Sequence, residues 1–242
     1  MDKEPVRLQK YISDCGVMSR RACEAEIKAG RVTINGEVAE LGQKVIPGKD
    51  VVKYKGQVVK VRTNRYTYIL LNKPVGYVTT MSDEKGRPCV AELVADVGHR
   101  VYPVGRLDYE SEGLLLMTDD GELTNKMTHP SHGIPKIYHV KLEGEITPEE
   151  MKRLSAPMEL DGYKLKPVGI EIVTRAEGKT VLRMTLHEGR NRQIRRMCEI
   201  AELELLNLKR VAIGDLTLGN LRPGKWRRLT ASQIDYLKKN VK

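Results

Sequence analysis

Three sets of residues in this chain have the types and spacing to do chemistry. The first is Asp108, in "VGRLDYESEGLLLMTDDGEL" (104–123). It follows Arg106-Leu107, precedes an acidic turn and stands just ahead of the apolar run Leu114–Met117. By position alone, an Asp before a strand is a turn former or a cap. The second is "EGRNRQIRRM", with Arg190, Arg192, Arg195 and Arg196 inside seven residues. Such a run is an RNA contact or a solvated face. The third is Tyr138, in "PKIYHVKL", which position alone makes a core residue. No Ser-His-Asp order, phosphate loop or Gly-rich dinucleotide turn accompanies them. His129-x-x-His132 has Pro130 between its histidines, and no Cys or carboxylate pattern completes it, so no metal is expected. An enzyme built here would work with a carboxylate, an Arg and an aromatic ring. Few reactions need only that. Glycosidic chemistry is one, although it usually uses two carboxylates. Glu110 and Glu112 are near in sequence but read as turn or surface.

These residues must be placed by the elements around them. Residues 6–35 read as two short helices and a strand. Leu8, Tyr11 and Ile12 fall at helical spacing. Ser19 is a good N-cap for a second helix, through Ala22, Ala25 and Ile27, that stops at Gly30. "RVTINGEVA" alternates and turns at Asn35-Gly36, a hairpin signal. A turn at Pro47-Gly48-Lys49-Asp50 precedes the strand 51–54. Residues 60–66 read as a polar linker, which gives domains 1–62 and 63–242. Beyond it, "YTYILLNKPVGYVTT" begins β-rich with a tight turn at Asn72-Lys73-Pro74, and "GLLLMT" is a buried strand. Asp119 and Glu122 suggest a capping box for a helix ended by Pro130. "IYHVKLEGEI" alternates, with Tyr138, Val140 and Leu142 on one face. "VLRMTLHEGRNRQIRRMCEIA" is a strand, a Gly turn and a helix. Its buried stripe is Ile194, Met197, Cys198 and Ala201, with Arg192, Arg195 and Arg196 off it. Turns at Gly219-Asn220 and Pro223-Gly224 lead to a last helix boxed by Thr230 and Gln233. There is no βαβ rhythm, so the expected class is α+β with a largely antiparallel sheet.

The 242 residues carry a net charge of +10. Residues 1–62 hold 13 Lys/Arg against 8 Asp/Glu, a net of +5, so half of the excess lies in a quarter of the chain. Lys10, Arg20, Arg21, Lys28 and Arg31 gather on the helical side of this module. A helix start beside two arginines suits phosphate, and nucleic acid is the expected partner. Apolar runs of four or five residues exclude a membrane span, and the polar N-terminus does not read as a signal peptide. Cys15, Cys23, Cys89 and Cys198 form no Cys-x-x-Cys pair and read as free thiols of a reducing cytoplasm.

Together "GRLDYESEGLLLMTDDGEL", "PKIYHVKL", "NKPVGYVTT" and "EGRNRQIRRM" resemble the pseudouridine synthases of the RsuA/RluB family. Residues 6–53 resemble the small alpha-L RNA-binding domain that often precedes them. The likeness covers nearly the whole chain. It implies an RNA-binding module and a catalytic domain that isomerises a uridine in ribosomal RNA without cofactor or metal. Asp108 matches the family's catalytic Asp, Arg195 the Arg that pairs with it, and Tyr138 the Tyr that stacks on the uracil or helps to move a proton. A bidentate Arg would hold the carboxylate ionised and aimed. Arg106 is matched to a contact with the phosphate beside the flipped nucleotide or to filling the gap the base leaves, while Lys10, Arg20, Arg21, Arg31, Arg190, Arg192 and Arg196 are candidate RNA contacts. The expected partner is ribosomal RNA or an assembly intermediate, met by a cytoplasmic monomer. "DEKGRPCVAEL" (83–93) and the full N-terminal module favour 23S over 16S rRNA. A non-catalytic ribosome-assembly factor is the alternative from another class. It would share the basic module and lack the Asp–Tyr–Arg trio.

Overall fold

A computed structural model describes residues 4–60, 66–129 and 133–240. Its contacts divide the chain into two units, Met1–Thr67 with Asp119–Gly121, and Tyr68–Thr118 with Glu122–Lys242.

In the first unit, β1 (Val6–Arg7) pairs with β4 (Lys44–Val45). Helices α1 (Leu8–Asp14) and α2 (Arg20–Lys28) precede a four-stranded sheet. Its order is β3 (Glu37–Val38), β2 (Val32–Ile34), β5 (Val52–Tyr54), β6 (Gln57–Val58). The cap on α2 is the one its sequence suggests, with Ser19 accepting from Ala22 N. Asn35 and Gly36 both take positive φ, at 53° and 99°, as a two-residue hairpin turn requires. Leu8, Ile12, Cys23, Ile27, Val32 and Val52 close a small core.

The second unit is built on a nine-stranded sheet. Its main path runs β13 (Gly169–Ala176), β14 (Lys179–Leu186), β10 (Lys136–Glu143), β15 (Leu205–Ile213), β9 (Glu112–Thr118), β7 (Tyr68–Lys73), β17 (Trp226–Arg228). Two short strands pair outside it, β8 (Tyr102–Pro103) with β9 and β16 (Leu216–Thr217) with β15. A separate hairpin joins β11 (Glu159–Leu160) and β12 (Tyr163–Lys164). Four helices frame the sheet, α4 (Gly121–Thr128), α5 (Pro148–Ser155), α6 (Gln193–Ile200) and α7 (Ala231–Asn240), with the one-turn α3 (Val90–Leu93).

The run "GLLLMT" is apolar throughout because both faces of β9 are covered. Leu114 and Leu116 face a core with Leu123, Met127 and Leu237. Leu115 and Met117 face another with Val90, Val94 and Leu107. A third core joins Val140, Leu142, Leu182 and Met184 to Ile194, Met197 and Cys198 of α6. The predicted stripe of that helix is therefore its buried face.

Every described pairing in this sheet is antiparallel except one. Strands β9 and β15 run parallel, with Glu112 opposite Lys209 and Gly113 opposite Arg210. Gly113 has φ +108°, and a Cβ there would stand 2.2 Å from Arg210 O. No other residue lets these backbones approach so closely.

Two local expectations differ from the structure. Asn72 and Lys73 continue β7 rather than turning, and the turn falls at Val75-Gly76. Asn72 Nδ2 donates to Leu221 O at 2.7 Å and Lys73 to three carbonyls, so strand polar groups are satisfied without a bend. Helix α4 begins at Gly121, so Asp120 rather than Asp119 precedes it. The Asp119 carboxylate accepts from Thr67 N at 2.7 Å. The Thr230–Gln233 box at α7 is present, at 3.2 and 3.3 Å. The helix stop at Pro130 and most of the linker, with His132, lie outside the described residues.

Candidate active site

Asp108 sits on a turn whose backbone is held from several sides. Ser111 N donates to Asp108 O at 3.1 Å, closing the turn. One residue earlier, Thr79 Oγ1 donates to Leu107 O at 2.6 Å and accepts from Leu107 N at 3.2 Å. One residue later, Tyr109 O accepts from Gly76 N at 2.9 Å. Beneath lies Lys73, fully buried. Its ammonium donates to Ser111 O (2.7 Å), Pro74 O (3.0 Å) and Asp108 O (3.1 Å). Three protons meet three carbonyls, so the loop is fixed before any ligand arrives. Burial pushes the Lys73 pKa down to about 8, against the pull of the nearby Asp108 charge.

The Asp108 side chain lines a cavity of about 460 Å³. This is large enough for one nucleotide base with room at the mouth. The 104–111 loop, the end of α4, the start of β10, the 186–194 loop and β15 form its walls. Tyr138 lines it from β10, and Arg106, Arg190 and Arg192 also line it. Arg190 lies over the Tyr163 ring, 3.4 Å from its centroid, and the Tyr163 hydroxyl donates to Glu188 at 3.2 Å. That stack fixes one guanidinium at the cavity wall.

Arg195 stands elsewhere than its motif predicts. Its Nη2 donates to Glu110 O at 3.0 Å and Ser111 Oγ at 3.3 Å. Its Nη1 is 3.6 Å from the Glu110 carboxylate, which Arg192 also meets at 3.1 Å. Among the described residues no ion pair joins Arg195 to Asp108. The turn presents Glu110 to the start of α6 and Asp108 to the cavity. Arg195 thus braces the Asp108 loop, and Lys73 holds the Asp108 backbone carbonyl from beneath. The side chain of Arg195 is only 12 % exposed, so this brace is part of the interior.

The remaining predicted contacts divide. Arg196 is held by Asp161 in a bidentate pair at 2.7 and 2.8 Å and does not line the cavity. In the first unit, Arg31 forks onto Glu26 at 2.7 Å and Lys10 pairs with Asp14. Arg20 and Arg21 are exposed on α2, with no ion pair among the described residues. Motif reasoning missed Lys73, Lys136, Tyr163 and Arg210. A lysine ending an apolar strand before Pro74, and Lys136 two residues from Tyr138, were the available signals. Burial pushes Cys23 up to about 11 and Cys198 to about 12, so neither thiol is a nucleophile at neutral pH.

A basic unit and a mixed-sheet unit with an arginine-lined cavity that holds Asp108 and Tyr138 fit a protein that acts on RNA. Residues 67–200 match the model of the RNA pseudouridylate synthase family, and residues 6–51 match the S4 domain. An "uncharacterized RNA pseudouridine synthase" of Aquifex aeolicus is 45% identical over 239 residues, covering 98% of this chain and 95% of that protein. The "ribosomal large subunit pseudouridine synthase B" of Bacillus subtilis is 40% identical over 235 residues, covering 96% and 95%. A crystal structure of a pseudouridylate synthase superposes with a TM-score of 0.67 at 29% identity, covering 96% of this chain and 99% of that one. The chain belongs to the RNA pseudouridylate synthase family, with an RNA-binding S4 domain ahead of its catalytic domain. Its reaction is the isomerisation of uridine to pseudouridine in RNA.

Proposed function

We propose that this enzyme isomerises a uridine of ribosomal RNA, in the large-subunit 23S species, with Asp108 as the catalytic carboxylate. Two carboxylates line the cavity. Glu188 is engaged by Tyr163, the Lys166 backbone N–H and Gln193. Asp108 lines it with no ion-pair partner among the described residues, and this observation carries the assignment. The reaction breaks C1′–N1, turns the base, joins C5 to C1′ and moves a proton from C5 to N1. It needs no oxidant or reductant. Asp108 serves it by attack on the sugar or by removing a sugar proton to give a glycal. The Tyr138 ring supplies the stacking face that a base loses on leaving its helix. Arg195 is a positioning residue, because it touches the loop and not Asp108 itself. Arg20 and Arg21 dock RNA phosphates, and Arg106, Arg190 and Arg192 take those at the cavity. The large-subunit assignment is supported by the name of the Bacillus subtilis relative. A ribosomal substrate places the work in the cytoplasm.

The test is pseudouridine mapping of both ribosomal RNAs from cells with and without the gene, complemented by the parent or by Asp108→Asn. One large-subunit site should vanish, return with the parent and stay absent with the variant. Loss of a small-subunit site instead, or an unchanged map, overturns the substrate. Restoration by Asp108→Asn overturns the catalytic assignment.

A further inference from the structure

The cavity wall holds two cations with no counter-ion among the described residues. Arg210 is 3 % exposed. Its Nε donates to Leu114 O at 2.7 Å, while its Nη2 is buried with no partner. Lys136 lines the same cavity, and its Nζ reaches Ile134 O at 3.4 Å, a long contact. Among the described residues neither cation has a carboxylate within ion-pair distance. Burial, then the charge of Arg210, push the Lys136 pKa down to about 8. Taking such groups out of water without an anion is strongly unfavourable. A pair of them in one pocket marks a place where negative charge arrives from outside.

Their register says which charge. Tyr138 on β10 lies directly opposite Arg210 on β15. Lys136 is two residues from Tyr138 on β10, so the strand's alternation puts both on one face. All three line the cavity. With Tyr138 under the ring of the target base, these cations reach the ring's edge. We propose that Lys136 and Arg210 hold the carbonyl oxygens of the target uracil and stabilise its negative charge when the bond to the sugar breaks. This rests on the role of Tyr138 given above. C1′–N1 cleaves with its electron pair going to the base, which spreads the charge over O2 and O4. The anion persists while the ring turns, so two donors at separate points keep hold of it throughout. C5 then gives an electron pair to C1′, the C5 proton leaves and N1 takes one up. Both routes open to Asp108 release the same anion. RNA phosphate is the other anion in reach, and the exposed Arg106, Arg190 and Arg192 suit it better than the buried Arg210 and half-buried Lys136.

The test uses the full-length enzyme and the RNA that the parent is found to modify, so the ribosomal assignment can fail with this test intact. Single-turnover rate and RNA affinity are compared for the parent, Lys136→Met, Lys136→Arg and Arg210→Lys. The target carries uridine or 5-fluorouridine, whose base is the better leaving anion. Lys136→Met should slow consumption of uridine on the order of 100-fold, as loss of a charge-stabilising donor does, with affinity unchanged. The deficit should narrow about tenfold on 5-fluorouridine, and the two charge-keeping variants should retain most of the rate. Unchanged rates, an equal deficit on both bases, or weakened binding with rate intact would each overturn the proposal. The last outcome would assign the pair to phosphate.

Discussion

Replacing Gly113 by Ala should do far more damage than an ordinary glycine substitution. The new Cβ would stand 2.2 Å from Arg210 O, about 1.3 Å inside an ordinary contact of ~3.5 Å. That oxygen belongs to the partner strand and cannot swing away as a side chain would. Relief requires β9 and β15 to part, which removes their two paired positions, about 1 kcal/mol each. It also strains the Arg210–Leu114 O bond, a charged-group interaction of roughly 1.5–3 kcal/mol. The total is about 3.5–5 kcal/mol beyond any strain from positive φ. Gly144 isolates that strain, having φ +77° and nothing within 4 Å of its Cβ position. The assay is urea unfolding followed by Trp226, the one tryptophan of the chain, which lies on β17 and reports the catalytic unit alone. With a slope of about 2 kcal/mol per molar, the Gly113→Ala midpoint should fall roughly 1.5–2.5 M below that of Gly144→Ala. Midpoints within about 0.5 M of each other would refute the reasoning.

Two further outcomes follow from the charges. Reversing Arg20 and Arg21 to Glu should raise the Michaelis constant and flatten its salt dependence, cutting the log–log slope by roughly 0.7–0.9 per lost phosphate contact, with little change in turnover at saturating RNA; a variant that binds as tightly as the parent and loses only turnover contradicts the docking role. Lys136 titrates near 8 rather than at 10.5, so its charged form dominates below that pH, and the single-turnover rate should fall as pH rises through about 8. Lys73 titrates in the same range, so Lys136→Arg is the informative variant. Its side chain stays charged, and a falling limb that persists unchanged would assign the titration elsewhere.

Sequence showed the elements with strong local signals. Ser19, Asn35-Gly36 and Thr230–Gln233 act within three or four residues, and each forms as expected. Helix α5 was equally open to reading, because Pro148 and the Thr147–Glu150 box mark its start. The site was legible as residue types and less so as partners. Asp108 and Tyr138 share one cavity, but Arg195 grips Glu110 and Ser111. Which carboxylate an Arg meets depends on how a four-residue turn splays its side chains, and no spacing rule encodes that. Lys73 and Arg210 were missed for a related reason. A cation inside an apolar strand looks like an exposed strand end until the carbonyls it satisfies have been brought together.

The one parallel pairing among the described strands of the sheet also sets when the cavity can exist. Gly113 meets Arg210 only after the intervening residues have been synthesised and looped back. Pairings of such sequence separation form slowly, and domains fold as units, N-terminal first, as a chain emerges during synthesis. The S4 unit needs little beyond residue 67. The wall that joins Arg210 to the Asp108 loop needs residue 210. Each newly made molecule therefore completes its S4 domain before its cavity, and a chain halted between those points would carry the S4 domain without the cavity.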